Sequence, residues 1–246
     1  MADFFKNLHL PDRPVKALIM GEKYCPGLEK ALLARGVSLL SCPKNPRVDE
    51  RLSSHADLSV FYLGEGRFLL AGYLENTDFS RILTEMGAEL FYSNSRQGRE
   101  YPDDAGLCAL PLGGSVFHNK KHTDPLISER LPRLINVAQG YAKCAVCTVS
   151  GSAAITADRG MARALKAEGI KVLEISAGHI ALSGFDEGFI GGATFFLSPT
   201  ELAFSGSIDV HPDKGRIEAF LSEQGVCPVY LTEHKAFDIG SAFPIF

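Results

Sequence analysis

The sequence predicts an α/β fold made of five similar units, each with the order strand, strand, helix, strand. Residues 188–231 show this order most clearly, because two apolar runs flank a Pro-containing turn and a helix and a last strand follow. In that helix Ile217, Phe220 and Leu221 have the i, i+3, i+4 spacing of a face that packs on a core. Gly225 comes next, where a left-handed C-cap is expected.

The second half of this unit, helix-glycine-strand, recurs along the chain. Five glycines stand between a predicted helix and a predicted strand: Gly36, Gly87, Gly140, Gly169 and Gly225. This count predicts five units in one domain that spans residues 1–246. Because hairpins rather than single strands precede the helices, the pattern favours a pseudo-symmetric ring of units over the alternative, a doubly wound α/β sheet.

The remaining elements are predicted from apolar runs for strands and from Asp or Pro at helix starts. In chain order they are strand 15–20, a helix from Pro26 and strand 37–40; hairpin 58–63 and 68–71, a helix from Asp78 and strand 90–92; strands 107–112 and 116–118 and a helix from Asp124; strands 144–149 and 153–156, helix 159–168 and strand 170–175. The tail, residues 237–246, reads as a last strand with no helix after it. We expect it to pair with the first strand, which closes the ring and leaves no free sheet edge.

The longest polar connection is the stretch of residues 93–106, SNSRQGREYPDDAG. It is rich in turn-forming residues, and long loops of this kind carry function more often than short connections do. The stretch is therefore predicted to be a lid over a site or a loop that contacts a partner.

Bulk composition excludes several classes of function. The chain has 246 residues, of which 46% are hydrophobic, and a net charge of −4. Proteins that coat nucleic acid or bind membranes through basic residues need a concentrated positive field, which this charge balance does not provide. The N-terminus lacks the apolar core of a signal peptide, and no run is long enough to span a bilayer. We expect a cytoplasmic protein with mostly reduced cysteines and with neither nucleic acid nor membrane as a partner.

Cys144 and Cys147 have the spacing of a redox or zinc motif but lie in AKCAVCTVS, which reads as a strand. Alternation along a strand would place the two side chains on opposite faces, and no second CxxC completes a set of four ligands. We interpret both residues as buried thiols, and we expect neither a bound metal nor a cofactor.

Residues 178–213, GHIALSGFDEGFIGGATFFLSPTELAFSGSIDVHPD, resemble a little-characterised family assigned to the pentein fold. This fold is the α/β-propeller of the guanidino-group-modifying enzymes, and five strand-strand-helix-strand units match its architecture. The resemblance implies a cysteine nucleophile late in the chain, a histidine, and carboxylates that grip a guanidinium group, as in deiminases, dimethylaminohydrolases and amidinotransferases. The Gly-rich tail DIGSAFPIF departs from this pattern, because it contains neither Cys nor His.

Two residues near the tail bear on this missing nucleophile. Ser241 lies near the expected position, but a serine hydroxyl is a weak nucleophile without a neighbouring base. Cys227 lies beside Pro228 in an apolar run, where a buried and inert thiol is expected. The cysteine mechanism of the superfamily is therefore not carried over to this chain.

In a ring, the loops between the second strand and the helix of each unit are expected to meet at one end of the axis. An Asp precedes four of the helices, with a polar residue two positions before it: Asp78 with Asn76, Asp124 with His122, Asp158 with Thr156, and Asp213 with His211. Helix capping by itself explains an Asp at this position. Asp158 and His122 are ligand-binding candidates because their loops are expected to line the axial pocket.

Asp209 and His211 are the predicted catalytic pair. Alternate residues of an extended segment point the same way, and Pro212 disfavours helical backbone at His211. A carboxylate that orients an imidazole and raises its pKa makes it a competent general base. The alternative is a polar loop that contains both residues by chance.

Four further residues are predicted to bind ligand. Asp186 and Glu187 lie in the Gly-flanked loop SGFDEGFIGG, where two acids suit a cationic head group. Solvated loop charge is the alternative for this pair. His179 follows Ala177-Gly178, and Asp238 is expected to approach the same axis if the closing strand is correctly assigned.

These residues predict a small cationic ligand of the guanidino or amino-acid kind in an acidic axial pocket, with hydrolase-like or amidinotransferase-like activity as the enzymatic form of the hypothesis. One alternative is a non-catalytic interaction module, because some rings of this fold, such as the translation initiation factor that keeps ribosomal subunits apart, have no catalytic cysteine. Another is an α/β enzyme of a different type. The sequence leaves the ligand, any macromolecular partner and the oligomeric state open.

Overall fold

Three-stranded sheets repeat five times in the described part of the chain. The computed structural model describes residues 2–7, 9–131 and 133–246. Unit 1 contains β1 (Ala17–Gly21), α1 (Cys25–Leu33) and β2 (Ser38–Cys42). Unit 2 contains β3 (Val60–Gly64), β4 (Arg67–Ala71), α2 (Asp78–Glu85) and β5 (Glu89–Ser93). Unit 3 contains β6 (Leu110–Leu112), β7 (Ser115–His118), α3 (Pro125–Arg130) and β8 (Leu134–Asn136).

The last two units follow the same order. A short helix, α4 (Ala142–Ala145), leads into unit 4, which contains β9 (Val146–Ser150), β10 (Ala153–Thr156), α5 (Arg159–Ala167) and β11 (Lys171–Glu174). Unit 5 contains β12 (Thr194–Ser198), β13 (Glu201–Phe204), α6 (Lys214–Glu223) and β14 (Cys227–Tyr230). The C-terminal β15 (Phe243–Pro244) joins the sheet of unit 1, in the order β15-β1-β2.

Pairing within the sheets confirms the predicted fold. In units 2 to 5 the first two strands are antiparallel, and the helix then crosses over to a third strand that is parallel to the second. In unit 1 the antiparallel partner of β1 is β15, and α1 crosses over to the parallel β2. The predicted closure by the chain ends is also confirmed, since Leu18 of β1 pairs with Pro244 of β15 and Ile19 pairs with Phe243. Five separate sheets exclude the doubly wound alternative, which requires one continuous sheet.

The glycine pattern behind the prediction is confirmed for four units and wrong for one. Gly36, Gly87, Gly169 and Gly225 follow their helices with φ between 70° and 96°, the left-handed conformation that favours glycine. Gly140 does not have this role, because α3 ends at Arg130 and Gly140 lies after β8, just before α4. Unit 3 therefore exists as predicted, although Gly140, the glycine used to predict it, does not lie between its helix and its last strand.

The predicted strand 144–149 is also corrected at its start. Residues Ala142–Ala145 form the short helix α4, and the strand begins at Val146. Cys144 and Cys147 therefore lie in different elements, and the argument that alternation along one strand separates their side chains does not apply. Both thiols are buried, as expected.

Each unit buries the inner face of its helix against its own sheet. Leu28 and Leu32 of α1 are fully buried, as are Ile217 and Leu221 of α6. The face that helical spacing predicts for α6 is therefore the one that packs. The residues of β1 and β12 are buried along the whole strand, which is typical of strands covered on both faces. Among the described helices, none combines the length and the apolar character that crossing a lipid bilayer requires.

Candidate functional site

Five short segments, each leading into the first strand of a unit, meet at the centre of the molecule. They are residues 238–242 before β15, 55–59 before β3, 105–108 before β6, 141–145 before β9 and 190–193 before β12. Backbone hydrogen bonds join neighbouring segments: Asp57 N to Gly240 O (3.1 Å), Ile239 N to Gly192 O (3.0 Å), Gly192 N to Cys144 O (3.0 Å) and Lys143 N to Cys108 O (3.0 Å). The axis is therefore built by these segments.

A cavity of about 190 Å³ opens against three of these segments. Its polar lining consists of His55, Cys144, Asp238 and Glu187. Its apolar and aromatic walls are Leu52, Leu58, Tyr141, Leu182, Phe185 and Phe189. We call it the axial cavity. Mostly apolar walls around a few converging polar groups are typical of a small-molecule site.

Asp238 is fixed at the end of this cavity by the backbone. Its Oδ2 accepts a hydrogen bond from Phe189 N and its Oδ1 accepts one from Gly240 N, both at 2.9 Å. Burial raises the pKa of Asp238, while the nearby His55, whose Nδ1 lies 3.9 Å from Oδ1, acts in the opposite direction. Gly192 makes room for the carboxylate, because a Cβ there would stand 1.9 Å from Oδ1.

Cys144 donates a hydrogen bond from its thiol to Asp57 Oδ2 at 2.7 Å, and its sulfur lies 3.9 Å from Asp238 Oδ1. Burial is the main cause that raises the pKa of Cys144 well above its ordinary value, and the neighbouring acids add to it. The resting group is therefore a thiol with a carboxylate in place to accept its proton.

Ser241, the residue nearest the expected nucleophile position, lies behind this pair. Lys143 Nζ donates to Ser241 Oγ at 2.9 Å, and Ser241 Oγ is 3.4 Å from Asp57 Oδ2. Both side chains are buried, and neither lines the axial cavity. Lys143, Ser241, Asp57 and Cys144 thus form one chain of hydrogen bonds, with the sulfur at its cavity end.

Four of the predicted site residues come together in a second cavity, of about 150 Å³: Asp158, His179, Glu187 and His211. Glu187 and Phe189 line both cavities, which places the two side by side. His211 is 4% exposed, and its Nδ1 accepts a hydrogen bond from Asp213 N at 3.0 Å. The neutral ring therefore carries its proton on Nε2, which has no hydrogen-bond partner within the described residues. Burial and the neighbouring His179 lower the pKa of His211.

The expected contact between Asp209 and His211 is wrong. Residues 209 and 210 form a turn, so alternation along an extended segment does not apply. Asp209 points to solvent with 70% of its side chain exposed and pairs with Lys214 at 2.5 Å.

Two other predicted residues lie outside both cavities. Asp186 is exposed and His122 is half-buried, and neither lines the axial or the second cavity. The loop of unit 3 directs a different histidine inward, because His118 is fully buried and bonds Thr123 and Gly140. Asp238, by contrast, lies at the axis as expected.

Two further expectations concern Cys227 and the loop 93–106. Cys227 is exposed, so the expectation of a buried thiol is wrong. The loop is held from both sides: Gln97 Nε2 donates to Leu58 O at 2.6 Å, and Tyr141 Oη donates to Asp104 Oδ2 at 2.6 Å. Since Leu58 and Tyr141 line the axial cavity, this loop supports the cavity wall.

His55 and Asp57 were not among the residues predicted from the sequence, and Cys144 was predicted only as a buried thiol. A signal for them exists, because aligning the units on their first strands, rather than on the Asp before each helix, places HADLS, AGLCA, YAKCA, FIGGA and DIGSA in one column. These residues also include groups of side chains that could bind a metal ion. The ligand atoms of His55, Cys144 and Asp238 lie within 4.8 Å of one another, as do those of Asp57, Cys108 and Cys144.

Solved structures similar to this chain share its fold. The inosamine-phosphate amidinotransferase StrB1 of Streptomyces griseus has a TM-score of 0.60 at 10% identity, covering 100% of this chain and 97% of that one. SxtG, an amidinotransferase of the saxitoxin pathway of Microseira wollei, has 0.55 at 12%, covering 91% and 90%. The agmatine deiminase of C. jejuni has 0.52 at 11%, covering 92% and 90%.

These likenesses show that the fold is that of the guanidino-group-modifying enzymes, the pentein fold. No curated protein matches the chain. A family model matches residues 19–243, and the chain therefore belongs to the family of unknown function DUF6873.

Proposed function

We propose that this chain binds a small guanidino compound in the axial cavity and modifies its guanidinium carbon with the thiol of Cys144. The observation that carries the proposal is the position of this sulfur at the cavity wall, 2.7 Å from Asp57 Oδ2 and 3.9 Å from Asp238 Oδ1. A nucleophile needs an adjacent base to be activated. The fold supports this class of substrate, since the amidinotransferases and the agmatine deiminase share it.

Binding follows from charge and shape. Asp238 and Glu187 supply negative charge at the cavity, and the apolar walls give a flat cation a water-poor surface. Burial raises the pKa of Asp238 in the empty cavity. A bound cation acts in the opposite direction, because an adjacent positive charge favours the ionised carboxylate. Ligand binding and ionisation of Asp238 therefore reinforce each other.

The chemistry uses groups already in contact. Attack by Cys144 forms a bond from Sγ to the guanidinium carbon and moves the C=N electron pair onto nitrogen, while the thiol proton passes to Asp57. The electron pair then returns, the C–N bond to the departing amine breaks, and that amine takes a proton from His55 as the general acid. Water, or an acceptor amine, then adds to the same carbon and gives a proton to His55. The C–S bond breaks, and the sulfur takes its proton back from Asp57 to restore the thiol. The first acceptor gives a hydrolase and the second an amidinotransferase.

Thermal-shift measurements with matched ligands test the binding step. We expect L-arginine or agmatine to raise the Tm, and citrulline, the neutral ureido counterpart of arginine, to have a smaller effect because it carries no charge on its side chain. The proposal fails if no guanidino compound raises the Tm, or if citrulline raises it as much as arginine does.

A further inference from the structure

The geometry points to a metal site at the same axis, in which His55 Nδ1, Cys144 Sγ and Asp238 Oδ1 bind a thiophilic divalent cation of the Zn²⁺ kind. These three atoms lie within 4.8 Å of one another, and all three side chains are buried. One thiol, one imidazole and one carboxylate are ligand types that Zn²⁺ prefers. This inference goes beyond the proposed function, because it requires no guanidino ligand.

The distances between the ligand atoms fit such an ion. Zn–N and Zn–O bonds of about 2.0–2.2 Å and a Zn–S bond of about 2.3 Å place the ligands of a tetrahedral ion roughly 3.3–3.6 Å apart. The observed separations from Asp238 Oδ1 are 3.9 Å to His55 Nδ1 and 3.9 Å to Cys144 Sγ. The ligand atoms of His55 and Cys144 are within 4.8 Å of each other, so side-chain shifts of about 0.5–1.5 Å would complete the geometry.

A second observation also points to an absent ligand. Asp57, which belongs with Cys108 and Cys144 to the adjoining group of converging ligand atoms, has a buried Oδ1 without a hydrogen-bond partner in the part of the chain that the structure describes. Buried polar atoms without partners are rare in folded proteins. Asp57 Oδ2 already accepts from Cys144, so it can take the thiol proton when the sulfur becomes a metal ligand. His55, Cys144 and Asp238 all line the axial cavity, which leaves the fourth metal position open toward it.

The metal and the guanidino compound would exclude each other. Both need Cys144 and Asp238, so a chain that holds Zn²⁺ has no free thiol for attack on carbon. The protein would thus exist in two forms. The metal-free form binds a guanidino compound, and in the metal-bound form the thiol of Cys144 is blocked.

Metal titration of the full chain, stripped with chelator and without any guanidino compound, tests this site. We expect one Zn²⁺ per chain by competition with a chromogenic chelator, and a thiolate-to-metal absorption band when Co²⁺ replaces Zn²⁺. Cys144→Ser and Asp238→Asn should each weaken binding at least tenfold, and Cys144→Ser should also remove the band. Cys147→Ser is the matched control, because Cys147 is buried but lies outside the cluster.

Thiol protection keeps the test valid if either variant fails to fold. In the wild-type chain, Zn²⁺ should slow alkylation of Cys144, identified by mass spectrometry, and leave the exposed Cys227 unchanged. The inference is overturned if no Zn²⁺ binds to the folded wild-type chain, or if folded Cys144→Ser and Asp238→Asn bind it as the wild type does. Its failure is separable from that of the proposed function, because binding of arginine and agmatine to the metal-free chain is measured independently.

Discussion

Cys144 and Asp57 are 87 positions apart in the sequence, and the sulfur of one lies 2.7 Å from the carboxylate oxygen of the other. Cys144 leads into unit 4 and Asp57 into unit 2, so only closure of the five units brings them into contact. This contact joins the hydrogen-bond chain that begins at Lys143 to the wall of the axial cavity.

Replacing the sulfur should stop chemistry without stopping binding. Cys144→Ser is expected to reduce turnover of the guanidino compound that binds best by about 10³-fold or more, because the hydroxyl is a far weaker nucleophile, while the ligand-induced rise in Tm is retained. Release of ammonia or urea, or transfer of the amidino group, measures turnover. Cys147→Ser serves as the control with unchanged turnover, and full activity of Cys144→Ser would remove Cys144 from the mechanism.

Glu187 should contribute to affinity through its charge. It lines both cavities, and its carboxylate makes no ion pair among the described residues. Glu187 is exposed, so Glu187→Gln is expected to weaken binding of a cationic ligand about two- to fivefold, which corresponds to about 0.4–1 kcal/mol. Asp186→Asn, one residue earlier and outside both cavities, should leave affinity unchanged. Equal effects of the two variants in calorimetric titrations would indicate long-range attraction instead of a contact.

The pKa of His211 predicts a pH effect on stability. Burial lowers this pKa in the folded chain, so between that value and about 6.5 the unfolded chain binds the extra proton. This contribution to stability is present above about pH 6.5 and is lost as the pH falls. His211→Asn keeps an acceptor for Asp213 N and removes the titration. From about pH 7 to 5 its free energy of unfolding should fall less than that of the wild type, by at most about 1.4 kcal/mol per pH unit.

Chemical denaturation at several pH values measures this difference. His122→Asn is the control for a half-buried histidine outside both cavities. A difference between His211→Asn and the wild type that stays constant with pH would show that the titration of His211 contributes nothing.

Gly192 should not tolerate a methyl group. A Cβ there would stand 1.9 Å from Asp238 Oδ1, and the carboxylate is held by two backbone donors. Gly192→Ala is expected to destabilise the fold by about 1–3 kcal/mol or more, as overpacking of a filled interior does. Gly215→Ala in α6 has no atom within 4 Å of the added carbon and should be neutral or stabilising by about 0.5–1 kcal/mol. Thermal unfolding of both variants measures the contrast, and equal Tm values would contradict the packing argument.

The sequence by itself determined the units and their order. Strand runs, helix faces such as Ile217, Phe220 and Leu221, and the glycines after four helices depend on local periodicity and local backbone conformation, so they can be recognised without a fold. The closing strand was predictable too, because a last strand without a helix needs a partner edge.

Only the tertiary structure decided which side chains meet at the axis. Asp238 was found from the sequence, but Asp209 turned outward because a two-residue turn replaced the expected extended segment. His55 and Asp57 come from one segment and Cys144 from another, 87 positions away from Asp57. The short helix α4, which has no clear periodicity, sets the direction of Cys144. Local patterns determine the secondary structure of each unit. Which side chains line the axis depends on how the segments of different units approach one another in space.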